Sequence, residues 1–243
     1  MSVQEFEVDL NGRRLQGSDW QPDNARAAVL LLHGGGCSTS NGLAPIREYL
    51  FERGIASTAF DFIGHGKSEG TLIGSSLAER SAAVDAVIAA RQLQAQTMAV
   101  IGFSMGGHIA ALAAHRHGFA GVGLVIAAAY SAAAAELRFG PDFANAIRQP
   151  QSWRDSNAFD AVAAYRSHVQ IISAGADAVV PAEIQQRYFD AAASCASRHH
   201  EIVAGSPHPL DQHFAQAPQD RARVYGLMMQ LALASANRAI IEA

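Results

Sequence analysis

The chain has 243 residues, 49% of them apolar, and a formal net charge of −4. That is ample apolar material for the core of one large domain, and it excludes wholesale disorder. The acidic balance argues against nucleic acid as a partner, and no apolar run is long enough for a membrane-crossing helix.

Glu5 to Leu10 and Arg13 to Asp19 read as two strands joined by a turn at Asn11-Gly12, a strong hairpin signal. Ala27 to Leu32 is a short, continuously apolar run, the pattern of a strand buried on both faces. Ile46 to Arg53 is a predicted helix stopped by Gly54, and Ile55 to Phe60 is the next strand. Leu77 to Gln94 has helical periodicity with Val84, Val87 and Ile88 on its apolar side. A strand over Thr97 to Ile101 follows, then a helix through Ala114 and a strand over Val122 to Ala127. From Ala128 to His168 the alternation lapses into helical pieces rich in aromatics. It resumes with a strand over Val169 to Ser173, a helix over Ala182 to Ala193, a strand over His200 to Val203 and a last helix over Gln219 to Ser235. Strands alternating with helices imply a mostly parallel sheet covered on both faces. The 128–168 stretch is too short for a core of its own and is expected to form a cap on a single domain spanning 1–243.

Ligands in such sheets sit beyond the C-terminal ends of the strands, and four polar positions fall there. Ser104 lies in Gly102-Phe103-Ser104-Met105-Gly106, between a predicted strand and a predicted helix. This is a G-x-S-x-G nucleophile elbow in the context the motif needs, with glycines where side chains would strike the neighbouring strand or helix. His33-Gly34-Gly35-Gly36 follows the Ala27 strand and suits an oxyanion loop. The expected donors are the N–H groups of Met105 and Gly35, with Gly34 as second choice; His33 is expected to hold the loop rather than act as base. Asp177 follows the Val169 strand and can orient a histidine, against the plainer reading of a turn or helix cap. His208, in Gly205-Ser206-Pro207-His208-Pro209, completes the order Ser, Asp, His. Among ten histidines only His213, in the same region, is a serious rival; His115, His117, His199 and His200 look solvated.

Together these segments resemble the α/β-hydrolase superfamily over nearly the whole chain, as does Asp61-Phe62-Ile63-Gly64-His65-Gly66-Lys67-Ser68, similar to its D-x-x-G-x-G-x-S segment. The resemblance implies an eight-stranded, mostly parallel sheet with an antiparallel second strand, a short helical cap where the family places its lid, and Ser–His–Asp chemistry. The expected activity is that of a serine esterase acting on a small acyl substrate, with thioesters, lactones and small amides as further substrate classes. Lyases, perhydrolases, acyltransferases and triad-bearing receptors share the frame. Phe103, Tyr130, Phe139 and Trp153 are candidates for an apolar pocket wall, with core packing the alternative.

Other motifs lead away from chemistry. Gly66-Lys67-Ser68 ends like a P-loop, but Asp61 stands where its first glycine belongs; Gly64-His65-Gly66 lacks the third glycine of a dinucleotide fingerprint. The His115-Arg116-His117 and His199-His200 clusters lack metal-site context, so neither metal nor cofactor is expected. Cys37 and Cys195 give no disulfide framework, and the N-terminus lacks a basic region followed by an apolar one. A reduced, cytoplasmic protein is the expectation, with homo-oligomerisation left open.

Overall fold

The structure, a computed structural model, describes residues 2–241. The chain opens with a hairpin of β1 (Ser2–Leu10) and β2 (Arg13–Gln21), turning at Asn11-Gly12. It continues through β3 (Ala27–Leu32), α1 (Ala44–Phe51), β4 (Ile55–Phe60) and α2 (Leu77–Arg91). Next come β5 (Ala99–Phe103), α3 (Met105–His117) and β6 (Gly121–Val125). The helices α4 (Ala132–Ala135), α5 (Pro141–Arg148) and α6 (Asn157–Ala164) occupy the connection to β7 (His168–Ala174). The chain then runs through α7 (Ala182–Ala191), β8 (Ser197–Val203), α8 (Leu210–Gln216) and α9 (Pro218–Ile241).

The eight strands form one sheet in the order β1-β2-β4-β3-β5-β6-β7-β8. Only β2 runs against its neighbours, pairing antiparallel with both β1 and β4; the remaining pairings are parallel. This is the α/β-hydrolase fold. Strand periodicity sorts the core into two layers. Leu30, Leu32, Val100, Val122 and Leu124 pack beneath α2, α3, α7 and the 128–168 segment, whereas Val29, Leu31, Ala99 and Ile101 face α1 and α9. The register aligns Leu32 with Gly102, Phe103 with Val125 and Ala174 with Val203. The loops after β3, β5, β7 and β8 therefore emerge at one edge, and the four predicted site segments are those loops.

Several sequence expectations need adjustment. β5 starts two residues later than expected and runs on through Gly102 and Phe103, because Ala95–Thr97 forms a 3-10 turn before it. β6 ends at Val125, two residues early, since Ile126 takes a positive φ of 44°. α2 stops at Arg91, with Gln92 left-handed at its C-cap. α8 has no counterpart among the expected elements. Among the described residues no helix is long and apolar enough to cross a membrane.

The 128–168 segment is pinned down rather than free-standing. Phe139 exchanges backbone hydrogen bonds with the loop before α2, accepting from Gly74 and donating to Ser75 (3.1 and 2.7 Å). Phe139, Phe143, Phe159 and Tyr165 are buried in the same apolar layer as α3.

Candidate active site

Ser104 sits between β5 and α3 with φ 52° and ψ −116°, a backbone state that costs about 1–3 kcal/mol outside glycine. Its surroundings hold it there. The Ser104 N–H donates to Val125 (2.9 Å), and its carbonyl accepts from Gly107 and Ala128 (2.9 and 3.0 Å). The flanking glycines permit the turn sterically. A side-chain carbon at Gly102 would lie 2.1 Å from the Gly106 carbonyl oxygen, and one at Gly106 would lie 2.5 Å from the carbonyl oxygens of Leu32 and His33. Both collisions are with backbone, which cannot rotate aside. Gly106→Ala should therefore destabilise the fold by about 3 kcal/mol or more in urea denaturation; a loss within about 0.5 kcal/mol would contradict this reading of the elbow.

His208 bridges the other two predicted residues. Its Nδ1 lies 2.7 Å from Asp177 Oδ2 and its Nε2 lies 3.0 Å from Ser104 Oγ. A carboxylate only accepts, so Nδ1 carries the proton and the Nε2 lone pair faces the serine hydroxyl. Asp177 is itself fixed, its Oδ1 accepting from the N–H groups of Val179 and Val180 (2.8 and 2.9 Å). The acid and histidine loops are laced together: Gly175 N–H donates to Val203 and Ala176 N–H to Ser206 (2.9 and 2.8 Å). The side chains of His208 and Asp177 are 15% and 8% exposed, so their pair is shielded without being sealed. The rival His213 is engaged elsewhere, with Nε2 2.7 Å from Asp220.

The glycine loop lies directly against the elbow. A side-chain carbon at Gly34 would sit 3.4 Å from Ser104 Cβ, and one at Gly35 3.2 Å from Met105 Cε. Met105 is the first residue of α3, where free N–H groups and the helix dipole favour negative charge. The N–H groups of Met105 and Gly35 donate to no acceptor among the described residues. His33 is 1% exposed; its Nδ1–H donates to the Gly34 carbonyl (2.9 Å) and its Nε2 accepts from Phe62 N–H (3.0 Å). Burial first, then the nearby Arg80, holds its pKa well below the usual 6.5, so it stays neutral. Asp61 braces the same loop, accepting from Ser40 N–H (2.7 Å) and Lys67 N–H (3.0 Å). Its own carbonyl accepts from Ser68 Oγ (2.6 Å), which explains the first and last residues of the D-x-x-G-x-G-x-S segment.

The four aromatics expected to form one pocket wall do not gather into one. Phe103 packs into the layer of α1 and α9, whereas Tyr130, Phe139 and Trp153 belong to the opposite layer. Tyr130 meets the His108 ring edge-on at 5.2 Å, and Trp153 packs against Phe159 at 6.3 Å. Core packing accounts for Tyr130 and Phe139, 9% and 6% exposed. Two of the histidines read as solvated are also engaged: His117 lies 2.7 Å from Asp85, and His200 2.5 Å from Ser173 Oγ.

His108, one turn into α3, is 1% exposed and neither ring nitrogen has a partner among the described residues. Burial pushes its pKa down to about 4 from the ordinary 6.5. Between those values the unfolded chain takes up a proton that the folded chain refuses. Stability is thus complete above about pH 6.5 and drains as pH falls towards about 4, a loss of about 2 kcal/mol near pH 5. His33 and His65, also depressed by burial, add to it with the same sign. His108→Leu should flatten this part of the pH dependence, read by urea denaturation near pH 5 and pH 8. Equal acid losses in variant and parent would sink the assignment.

The residue missed by sequence reading is Arg80. It belongs to the stripe that carries Val84 and Val87, and its guanidinium is buried behind the glycine loop. A charged residue in register with an apolar stripe was the available signal.

Comparison with known proteins agrees with this architecture. The family model described as serine aminopeptidase, S33 (Hydrolase_4) matches residues 23–154, more than half of the chain. The match takes in the glycine loop and the elbow; Asp177 and His208 lie beyond it. No curated protein matches the chain in sequence. Among solved structures, Est1E from Butyrivibrio proteoclasticus with ferulic acid bound is similar at 23% identity and a TM-score of 0.72, covering 93% of this chain and 98% of its own. The esterase EaEST from Exiguobacterium antarcticum is similar at 16% identity and TM-score 0.72, covering 93% and 100%. A monoacylglycerol lipase from Paleococcus ferrophilus is similar at 18% identity and TM-score 0.69, covering 91% and 99%. At these identities the likeness is one of fold. By the family match and the eight-stranded sheet together, the chain belongs to the serine aminopeptidase-like (S33) hydrolase family, Hydrolase_4, of the α/β-hydrolase fold.

Proposed function

We propose that the protein is a serine hydrolase that cleaves carboxylic esters of small substrates through Ser104, His208 and Asp177. The observation that carries the proposal is His208, with one ring nitrogen 2.7 Å from a carboxylate and the other 3.0 Å from the elbow hydroxyl. A hydroxyl is a weak nucleophile until an adjacent base takes its proton, and that arrangement supplies the base already oriented.

In the proposed reaction Ser104 Oγ attacks the substrate carbonyl carbon while His208 Nε2 accepts the hydroxyl proton. The imidazolium that forms is stabilised by Asp177. Negative charge collecting on the carbonyl oxygen is met by the N–H groups of Met105 and Gly35. Collapse breaks the bond to the leaving alkoxide, which takes the proton from His208 and departs as an alcohol. Water, deprotonated by the same nitrogen, then attacks the acyl-enzyme, releasing the carboxylic acid and restoring Ser104. Short or medium acyl chains suit the short helical segment between β6 and β7. The description of the structural neighbour EaEST as an esterase favours esters over amides.

A series of p-nitrophenyl esters of increasing acyl length, with Ser104→Ala as control, tests the proposal. Release of free acid with a preference for the shorter chains supports it. Equal rates with parent and control would refute it, and acyl transfer to an added alcohol without free acid would point to an acyltransferase.

A further inference from the structure

The buried guanidinium of Arg80 has no carboxylate partner among the described residues, though isolated charges are costly to bury. Its contacts are specific. Nη1 donates to the Gly34 carbonyl oxygen at 3.0 Å, and Nη2 donates to His65 Nε2 at 3.0 Å. The cation lies over the rings of Phe62 and Phe139, 4.6 and 5.5 Å from their centroids. His65 is set to receive it, since its Nδ1–H donates to the Ile63 carbonyl (3.0 Å) and leaves Nε2 as acceptor. Nε of Arg80 has no partner among the described residues, so neither full satisfaction of the guanidinium nor ion pairing explains its burial.

The Gly34 carbonyl is the other end of the peptide unit that carries the Gly35 N–H. That oxygen accepts twice, from Arg80 Nη1 and from His33 Nδ1–H. Donation to a carbonyl by a cation draws electron density from the amide, and in a chain of hydrogen bonds each link strengthens the next. The same two bonds fix the rotation of the peptide plane, and hence the direction of its N–H. We propose that Arg80 is a positioning residue for the oxyanion hole, aiming and polarising the Gly34–Gly35 peptide so that the Gly35 N–H stabilises the developing oxyanion. This rests on the serine hydrolase reading above. The hydrogen bonds of Arg80 go to Gly34 and His65 and not to Ser104, so it acts through one peptide bond. Met105 supplies the second donor without it, so the effect is partial by construction.

The test compares p-nitrophenyl acetate with its thionoester, in which sulfur replaces the carbonyl oxygen. Sulfur accepts hydrogen bonds weakly, so the oxyanion hole contributes little to thionoester cleavage. The ratio of the two kcat/KM values is measured within one preparation and is independent of the fraction folded. Arg80→Met, which keeps the apolar stem, should lower the ester rate about 10- to 100-fold, mainly in kcat, and reduce the ester-to-thionoester ratio about tenfold. Arg80→Lys, which keeps a charge and a donor, should fall between the two and carries the test if Arg80→Met does not fold. A ratio unchanged in both variants, with both substrates slowed alike, would overturn the proposal and leave Arg80 a packing residue. Fluorophosphonate labelling of the parent separates the two layers. An unlabelled Ser104 removes the hydrolase reading, whereas a labelled Ser104 with an unchanged ratio removes only the role of Arg80.

Discussion

Ser104→Ala is expected to lower kcat/KM for p-nitrophenyl acetate on the order of 10⁴-fold or more while leaving the fold in place. The size follows from the proposed chemistry, in which the hydroxyl oxygen forms the acyl bond. With Oγ gone, His208 and the glycine loop can still bind and polarise an ester. Water attacking directly then accounts for whatever rate survives. The loss should sit in kcat, since the side-chain oxygen contributes little to ground-state binding. The positive φ of 52° at Ser104 remains in the variant, so stability should change by less than about 1 kcal/mol. Denaturation curves beside the rate measurements check both halves. Turnover within about tenfold of the parent would end the nucleophile assignment.

Asp177→Asn should cost on the order of 10⁴-fold in kcat, although the replacement is nearly isosteric. Asp177 Oδ2 can only accept, which obliges His208 to keep its proton on Nδ1 and present Nε2 to Ser104 Oγ. The substituted amide offers an NH₂ group in that place if its oxygen stays on the Val179 and Val180 N–H groups. That NH₂ would donate to Nδ1, move the imidazole proton to Nε2 and point a donor at the serine. The base is then in place and in the wrong tautomer. Binding of a non-reactive ester analogue should be unchanged. A variant with equal losses in analogue affinity and in kcat would show instead that Asp177 shapes the loop.

Much of the fold is legible in the sequence because its central strands announce themselves. Ala27–Leu32, a continuously apolar run, and Ile55–Phe60, directly after Gly54, match the expected bounds and lie in the middle of the sheet. The expected β5 is displaced because Ala95–Thr97 takes a 3-10 turn and the strand runs on into the first residues of the elbow. The missing side chain at Gly102, which the elbow motif anticipates, is required by the helix returning across it. β8 reads short because it is the sheet's outer strand, where Ser197, Arg198 and His199 are exposed and show no apolar run. α8 offers only Leu210 and Phe214 as buried apolar positions, too few for a periodic signal.

The candidate site is legible for a different reason. Ser104, Gly35, Asp177 and His208 each follow a strand of a parallel sheet, and parallel strands in register deliver such residues to one edge. The pocket aromatics are not legible, since aromatic content does not say which face of a cap helix meets the core. Arg80 escapes because a lone arginine on a helix ordinarily marks solvent, and only the folded loop shows what it touches.

If Ser104 is the nucleophile, it becomes acylated during turnover. Intact-mass spectrometry of the protein, quenched in acid during steady-state turnover of p-nitrophenyl acetate, tests this directly. The expected result is one added acetyl group, carried on the peptide that contains Ser104 and absent from Ser104→Ala. An acetyl group on any other residue, or undiminished turnover by Ser104→Ala, would contradict it.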